Sequence, residues 1–340
     1  MQHYKITWTV RSPLETELQS DTIFGHFCWA LLHEKGTDDL KPFLEKLKGS
    51  PVFMLSSAFP KGYLPFPVSL PVTIPDFEKL RVILKWSDSK EDKIMFAQLK
   101  KKLKTAQWIS TKYWLENHNN FSLPALYNDV WEKAEKKDID KLYENQDILK
   151  EKPLKAETIS IIHSTINRLT GTTSKEGPNL YDEPTTFFEE GAKFESYLST
   201  DYFSKDELLM YFAIIQNGGF GKNKNTGKGH FEISVEEYTY PTCENPNAFL
   251  VLSNCVPAKD DPLDCFYNGF TKFGKLGSNY SSTKSPFKYP IFMCAPGSVF
   301  LGEKKPVGSL LQNVHPDEKQ VVQNTYCYSI PFHWIGGKDD

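Results

Sequence analysis

The sequence predicts an α+β fold built on antiparallel sheet, and three observations carry that expectation. Apolar residues alternate with polar ones at Tyr4, Ile6, Trp8 and Val10, and again at Phe231, Ile233 and Val235, the period of two that buries one face of a strand. Helical periodicity is sparser, at Ile23, Phe27, Ala30 and Leu31 and at Leu208, Leu209, Phe212 and Ile215. The N-terminal order also reads strand, helix, strand, strand, the first part of a ferredoxin-like or RRM-like unit.

His3–Val10 is the first strand, broken by Arg11-Ser-Pro13. Ser20 or Asp21 offers an N-cap for the following helix. That helix has a second stripe of Thr22, His26, Trp29 and His33. His26 has two readings there: a polar ligand or general acid/base, or a histidine packed at a helix edge. A short amphipathic helix covers Asp38–Lys48. Val52–Ser57 and Gly62–Phe66 read as strands joined by a turn, after which Pro65, Pro67, Pro71 and Pro75 end regular structure.

Residues 76–158 interrupt the pattern and read as an insertion without a full core of its own. Lys85–Lys112 holds eight lysines against three acids, with Trp108, Tyr113 and Trp114 beside Lys112. Lysines interleaved with aromatics can track a phosphate backbone while rings stack on bases. The same pattern suits a charged helix packing its rings on the body of the protein. Residues 129–151, with eight acids and five lysines, read as a solvated face. Lys193–Leu198 is the next strand. Ser204 and Glu207 form a capping box ahead of the second helix, which stops at Asn217-Gly218. Pro241–Pro246 marks a boundary. Ala248–Ser253, Ile291–Cys294, Ser298–Leu301 and Asn324–Pro331 supply strands beyond it.

Between the second helix and the Phe231 strand lies Gly218–Gly229, with five glycines, three lysines and no acid. Glycine admits positive φ and close backbone approach, and successive N–H groups in such a loop make an anion cradle. Composition alone leaves a plain surface loop as the other reading. Five residues separate Gly221 from Gly227 and Lys228 is followed by Gly229, so the loop is not a Walker motif. It leads into a strand and lacks the third glycine of a dinucleotide fingerprint.

The chain has 340 residues, a length that suggests two domains, and a net charge of −3. No global field draws nucleic acid, so such binding rests on local patches. Thr271–Pro290 is one, with four lysines and no acid. The six cysteines form no Cys-x-x-Cys pair, which argues against zinc. No Gly-x-Ser-x-Gly or His-Glu-x-x-His motif occurs. Asp260-Asp261 and Asp339-Asp340 are adjacent loop and tail acids with no assigned metal. The absence of a leader and of a long apolar run gives the expectation of a cytoplasmic protein with reduced, mostly buried thiols and no membrane partner.

The glycine loop resembles that of RAMP proteins, the RRM-like subunits of CRISPR effector complexes. Ser20-Asp-Thr-Ile-Phe-Gly-His26, Ser56-Ser-Ala-Phe-Pro-Lys-Gly-Tyr-Leu-Pro65, Ser278-Asn-Tyr-Ser-Ser282, Pro296-Gly-Ser-Val-Phe300 and Pro306-Val-Gly308 sharpen this. Together they resemble the type III-A (Csm) subunit family that holds the repeat-derived 5′ handle of the guide RNA. The resemblance runs through nearly the whole chain. It implies two RRM-like domains, residues 1–240 and 247–340, with a thumb at about 76–158 that carries Trp108, Lys112 and Trp114. It implies a non-catalytic RNA-binding subunit that uses no cofactor and has as partners the crRNA, the target RNA through the duplex, the large polymerase-nuclease subunit and the backbone subunit.

Carried across, the RNA-binding residues are Gly218, Gly219, Gly221, Lys222, Asn223, Lys224, Thr226, Gly227 and Lys228 of the loop, with His26. Arg168, within His163–Thr173, is a phosphate ligand. Asn279, Tyr280, Ser282 and Lys284 belong to a C-terminal handle loop. Related type I proteins of this architecture cut precursor guide RNA without metal, so an endoribonuclease using His26 or His163 with Lys228 is the alternative. Type III-A complexes usually receive guides cut by a separate enzyme.

Overall fold

The computed structural model describes residues 1–68, 74–83, 89–134, 138–144, 146–166, 169–173, 180–277 and 285–336. The chain opens with β1 (Gln2–Val10), α1 (Ser20–Lys35), α2 (Thr37–Gly49), β2 (Phe53–Leu55), β3 (Phe59–Pro60) and β4 (Tyr63–Pro65). An inserted block follows: α3 (Ile74–Ile83), α4 (Lys90–Leu103), β5 (Trp108–Ser110), α5 (Thr111–Asn117), α6 (Leu123–Lys133) and β6 (Leu149–Lys150). Then come β7 (Ala156–Ser164), β8 (Leu180–Phe188), β9 (Lys193–Thr200), α7 (Lys205–Gly218) and β10 (Phe231–Glu237).

The first sheet has the order β10-β1-β9-β2, with β3 also pairing β9, and every pairing is antiparallel. With α1 after β1 and α7 after β9, this is the ferredoxin-like β-α-β-β-α-β order. The alternation of β1 works as expected: Tyr4, Ile6 and Trp8 are buried under the two helices. The Trp8 ring meets Phe212 of α7, Phe220 of the glycine loop and Phe231 of β10 edge-on at 5.5–6.0 Å. Sheet, helix and loop therefore share one aromatic node. α7 carries its full capping box, with the Ser204 N–H donating to Glu207 at 2.9 Å.

The N-cap of α1 is Gln19, without a side-chain cap bond. Ser20 and Asp21 lie inside the first turn, and their side chains reach across to the C-terminal half instead. The Asn254 N–H donates to Ser20 Oγ at 2.9 Å, and Asp21 accepts from Asn254 Nδ2 at 2.9 Å, Gln323 Nε2 at 2.6 Å and Lys272 Nζ at 2.7 Å. The inserted block packs on the body: Leu80, Leu99, Leu103, Ile109, Trp114, Leu126, Val130 and Leu149 are buried within the main apolar cluster. Leu99 and Leu103, one helical turn apart, face inward while most of the lysines of α4 face out.

Beyond residue 240 lie β11 (Ala248–Val251), β12 (Cys265–Phe266), β13 (Gly269–Lys272), β14 (Ile291–Cys294), β15 (Val299–Leu301), β16 (Gly308–Leu311), β17 (Gln323–Tyr326) and β18 (Ser329–Phe332). Four of them form a sheet in the order β12-β15-β11-β18; β13 pairs β14, and β16 pairs β17. Among the described residues this half has no α-helix, so its four-stranded sheet is reached without the helical crossovers of the N-terminal half. Its core is continuous with the first: Ala248, Leu250, Val299, Ile330 and Phe332 join the same buried cluster. Asp261 is buried and accepts the N–H groups of Ala258, Val307 and Gly308, each at 2.8 Å.

Candidate nucleic-acid interface

The glycine loop is strongly determined by its own backbone. Gly219, Gly221, Asn223, Gly227 and Gly229 all have positive φ, a region open to glycine and tolerated by asparagine. At two of these positions contact as well as conformation demands glycine. A Cβ on Gly229 would lie 1.9 Å from the Phe220 carbonyl, and one on Gly221 would lie 2.4 Å from Thr16. The Phe220 N–H donates to the Gly229 carbonyl at 2.8 Å and the Gly229 N–H to the Pro13 carbonyl at 2.9 Å. The Gly221 N–H donates to His26 Nε2 at 3.0 Å and the Lys222 N–H to Thr16 Oγ1 at 2.9 Å. Several N–H groups read from the sequence as an open anion cradle are thus turned inward, onto α1 and the segment before it.

Its cations also have partners that the loop's own sequence does not contain. Lys222 Nζ pairs with the buried carboxylate of Glu183 on β8, and Asn223 Nδ2 bridges Glu183 and Glu15, the latter at 2.7 Å. Lys228 Nζ lies 4.0 Å from Glu15 and 5.5 Å from the centre of the Phe187 ring. Glu15 also accepts from Thr185 Oγ1 at 2.8 Å. The hydrogen bond from Lys222, aided by Asn223 and the nearby charges, holds the Glu183 carboxyl below the usual range. Lys224, in a short 3-10 turn, has no ion pair among the described residues and is the loop's free cation. Glu15, Glu183 and Thr16 escape sequence reasoning because they approach the loop from distant segments.

His26 comes to the loop but as a support. Its Nε2 accepts the Gly221 N–H, so the ring proton sits on Nδ1, and the ring packs on Phe220 with centroids 4.5 Å apart. Burial, with Lys224 adding to it, lowers its pKa to about 4. A neutral imidazole whose lone pair is already engaged is poorly suited to activate a 2′-OH. His163 stacks on Tyr181 at 5.4 Å and lies 3.8 Å from Glu183, beneath the same loop.

The inserted block differs from its expected role. Trp114 is fully buried and packs on Phe121 and Phe332, each at 5.0 Å. Trp108 lies in β5 opposite Pro65 and tilts against Phe59. Trp114 is thus a core ring shared with β18, Trp108 is half-buried, and Lys112 is exposed. The β7–β8 hairpin is joined to the body by the Leu14↔Thr186 bridge and exposes Ile159, Ile162, Leu180 and Tyr181. Arg168, Asn279, Tyr280, Ser282, Lys284 and Asp339-Asp340 lie outside the described residues. Among the described residues no group of three or more His, Cys, Asp or Glu is placed to hold a metal ion, and no helix is long and apolar enough to cross a membrane.

No protein-family model matches the chain, and no curated protein matches it in sequence. Its fold, however, matches solved structures along its whole length. In the Csm3–Csm4 subcomplex of the type III-A CRISPR-Cas interference complex, the match covers 98% of this chain and 100% of the other, with a TM-score of 0.60 and 16% identity. In the Csm1–Csm4 cassette in complex with pppApA, and in the same cassette with AMPPNP, the coverage and identity are the same and the TM-score is 0.58. Csm4 is the component these assemblies share, and this chain has a Csm4-like fold.

Proposed function

We propose that this chain is a non-catalytic, crRNA-binding assembly subunit of a type III CRISPR interference complex. It grips the repeat-derived 5′ handle and caps the backbone filament beside the large subunit. The observation that carries this reading is the end-to-end likeness to Csm4 in two assemblies, one with Csm1 and one with Csm3. A Csm1-like large subunit and a Csm3-like backbone subunit are the corresponding partners.

The site chemistry supports holding rather than cutting. The loop's fixed backbone presents Lys224 and the exposed ammonium of Lys222 to a phosphate chain, and phosphate contacts position an RNA without reading it. The handle loop with Asn279, Tyr280, Ser282 and Lys284, and Arg168 beyond β7, complete the proposed grip. His26 is engaged by the loop it supports, so no observation favours the ribonuclease.

The test is co-expression with the large and backbone subunits of its own system and a labelled repeat-containing RNA, in EDTA. Co-purification of both subunits with intact RNA is expected. Failure to join either subunit, or metal-independent cutting at one repeat position that is lost in His163→Ala, would overturn the reading.

A further inference from the structure

The most exposed aromatic surface of the described molecule lies on the two-stranded ribbon formed by residues 267–277 and 285–295. Its pairing runs from Gly269↔Cys294 to Lys272↔Ile291 in β13 and β14 and continues to Lys275↔Phe287. Successive side chains on a strand point to opposite faces; exposure follows that alternation from Phe270 to Leu276, while the second strand carries one extra residue between Ile291 and Phe287, which brings Phe287 and Phe292 to the same side. Phe270, Lys272 and Leu276 turn inward. Tyr267, Thr271, Phe273 and Lys275 turn outward, beside Phe287, Tyr289 and Phe292 of the second strand.

The two faces are built differently. The inner face is pinned: Lys272 Nζ bonds Asp21 at 2.7 Å and Thr22 at 2.9 Å, while Lys288 Nζ bonds the Val322 carbonyl at 2.9 Å and Gln323 at 2.6 Å. The outer face is open: its five rings each remain 47–67% exposed. The end of the Phe292 ring lies over Gly269, where a Cβ would stand 2.2 Å from Cζ, and Tyr267 meets that ring edge-on. Lys275 lies over the Phe287 ring, 5.9 Å from its centre. The outward positions contain no acid.

We infer that this ribbon is a stacking platform for the unpaired bases of a single-stranded RNA. A strand pair that presents five exposed rings on its outer side, with Phe287 and Tyr289 two residues and so about 6.8 Å apart along one strand, matches how sheets and OB-type grooves hold splayed bases. The face has aromatic rings for bases, a lysine for phosphate and no charge to repel the strand. In sequence it flanks Asn279–Lys284 on both sides, so the inference rests on the proposed grip and adds the base-contacting element to it. The pinned inner face keeps the platform from collapsing onto the body when empty.

The test uses the full chain with the double substitution Phe273→Ala and Phe292→Ala. Both rings are exposed, so folding is retained, which a thermal melt checks. The probes are a labelled single-stranded RNA carrying the repeat handle and the same RNA with abasic sites through the handle. The double variant is expected to bind the intact RNA at least about tenfold more weakly, with an unchanged salt slope, and to bind the abasic RNA as the parent does. Equal binding of intact RNA by parent and variant overturns the platform alone, and lost co-purification with the large subunit would then make the face a protein-docking surface. No binding of either RNA by the parent chain overturns the proposed grip and the platform together.

Discussion

The Gly218–Gly229 loop and the 267–292 ribbon look alike in sequence, each a lysine-bearing stretch without acids, and they present opposite surfaces. In the loop, Lys222 and Lys228 lie against Glu183 and Glu15, and backbone N–H groups point back onto His26, Thr16 and Pro13. In the ribbon, Lys272 and Lys288 turn inward to Asp21 and Gln323, and the aromatic rings are left outside. Lysine content along a chain is therefore a poor guide to accessible charge, because buried acids from distant segments claim much of it. The loop offers a shaped backbone with one free cation, and the ribbon offers rings.

Five substitutions would break or sharpen this contrast. The largest effect is expected for Gly229→Ala. Its Cβ would collide with the Phe220 carbonyl in a left-handed backbone, and such a conformation alone costs a non-glycine residue about 1–3 kcal/mol. A thermal melt should show severe destabilisation, whereas Gly227→Ala, with the same φ sign but open space around it, should cost only about 1 kcal/mol. If the two behaved alike, the close packing of the loop would be disproved.

Next comes Asp21→Ala, which leaves Lys272 buried without its carboxylate. Removing one partner of a buried pair costs about 3–5 kcal/mol, so denaturant unfolding should shift by a large fraction of total stability. A shift of a few tenths would mean that the inner face of the ribbon is not pinned.

His26 gives a pH signature of similar or smaller size. Its pKa is lowered to about 4 in the folded chain from about 6.5 unfolded, so the unfolded state binds the proton first as pH falls. The stability tied to a neutral His26 is complete above pH 6.5 and drains away down to about pH 4, by up to about 3 kcal/mol. His26→Asn should be less stable at neutral pH and flatter across that window. Identical pH slopes would remove the buried imidazole from the account.

The smallest effect is expected for Glu183→Gln. Releasing Lys222 from its carboxylate should tighten single-stranded RNA binding a few-fold and steepen the salt slope by about 0.7, the value of one added phosphate contact. Weaker binding would mean that Glu183 serves to aim Lys222 rather than to mask it.

The sequence made some of this legible. The β1 and β10 alternation, the Ser204 box and the Asn217-Gly218 stop each follow from local chemistry, and the ferredoxin-like order of the first sheet follows from joining them. What stayed hidden depends on long-range contacts. Trp114 beside Lys112 reads equally as a stacking ring or a core ring, and only Phe121 and Phe332 decide for the core. Glu15 and Glu183, 168 residues apart in sequence, meet at Asn223, which no periodicity reveals. Ser20 and Asp21 look like a cap because they are polar at a helix start, yet their partners lie more than 200 residues away. The rings Tyr267 and Phe273 lie on the outer side of the ribbon because Lys272 and Lys288 anchor the inner one, which the lysine count of Thr271–Pro290 does not reveal.

The central proposal is that this chain holds the repeat-derived handle of a guide RNA, with the glycine loop taking its phosphates. The direct measurement is equilibrium binding, across a salt series, of guide RNA with and without the handle to the parent chain and to the Lys222→Ala, Lys224→Ala, Lys228→Ala triple variant. The account expects tighter binding with the handle, and in the variant a weaker affinity with a shallower salt slope. Equal affinity for both RNAs, together with an unchanged slope in the variant, would contradict it.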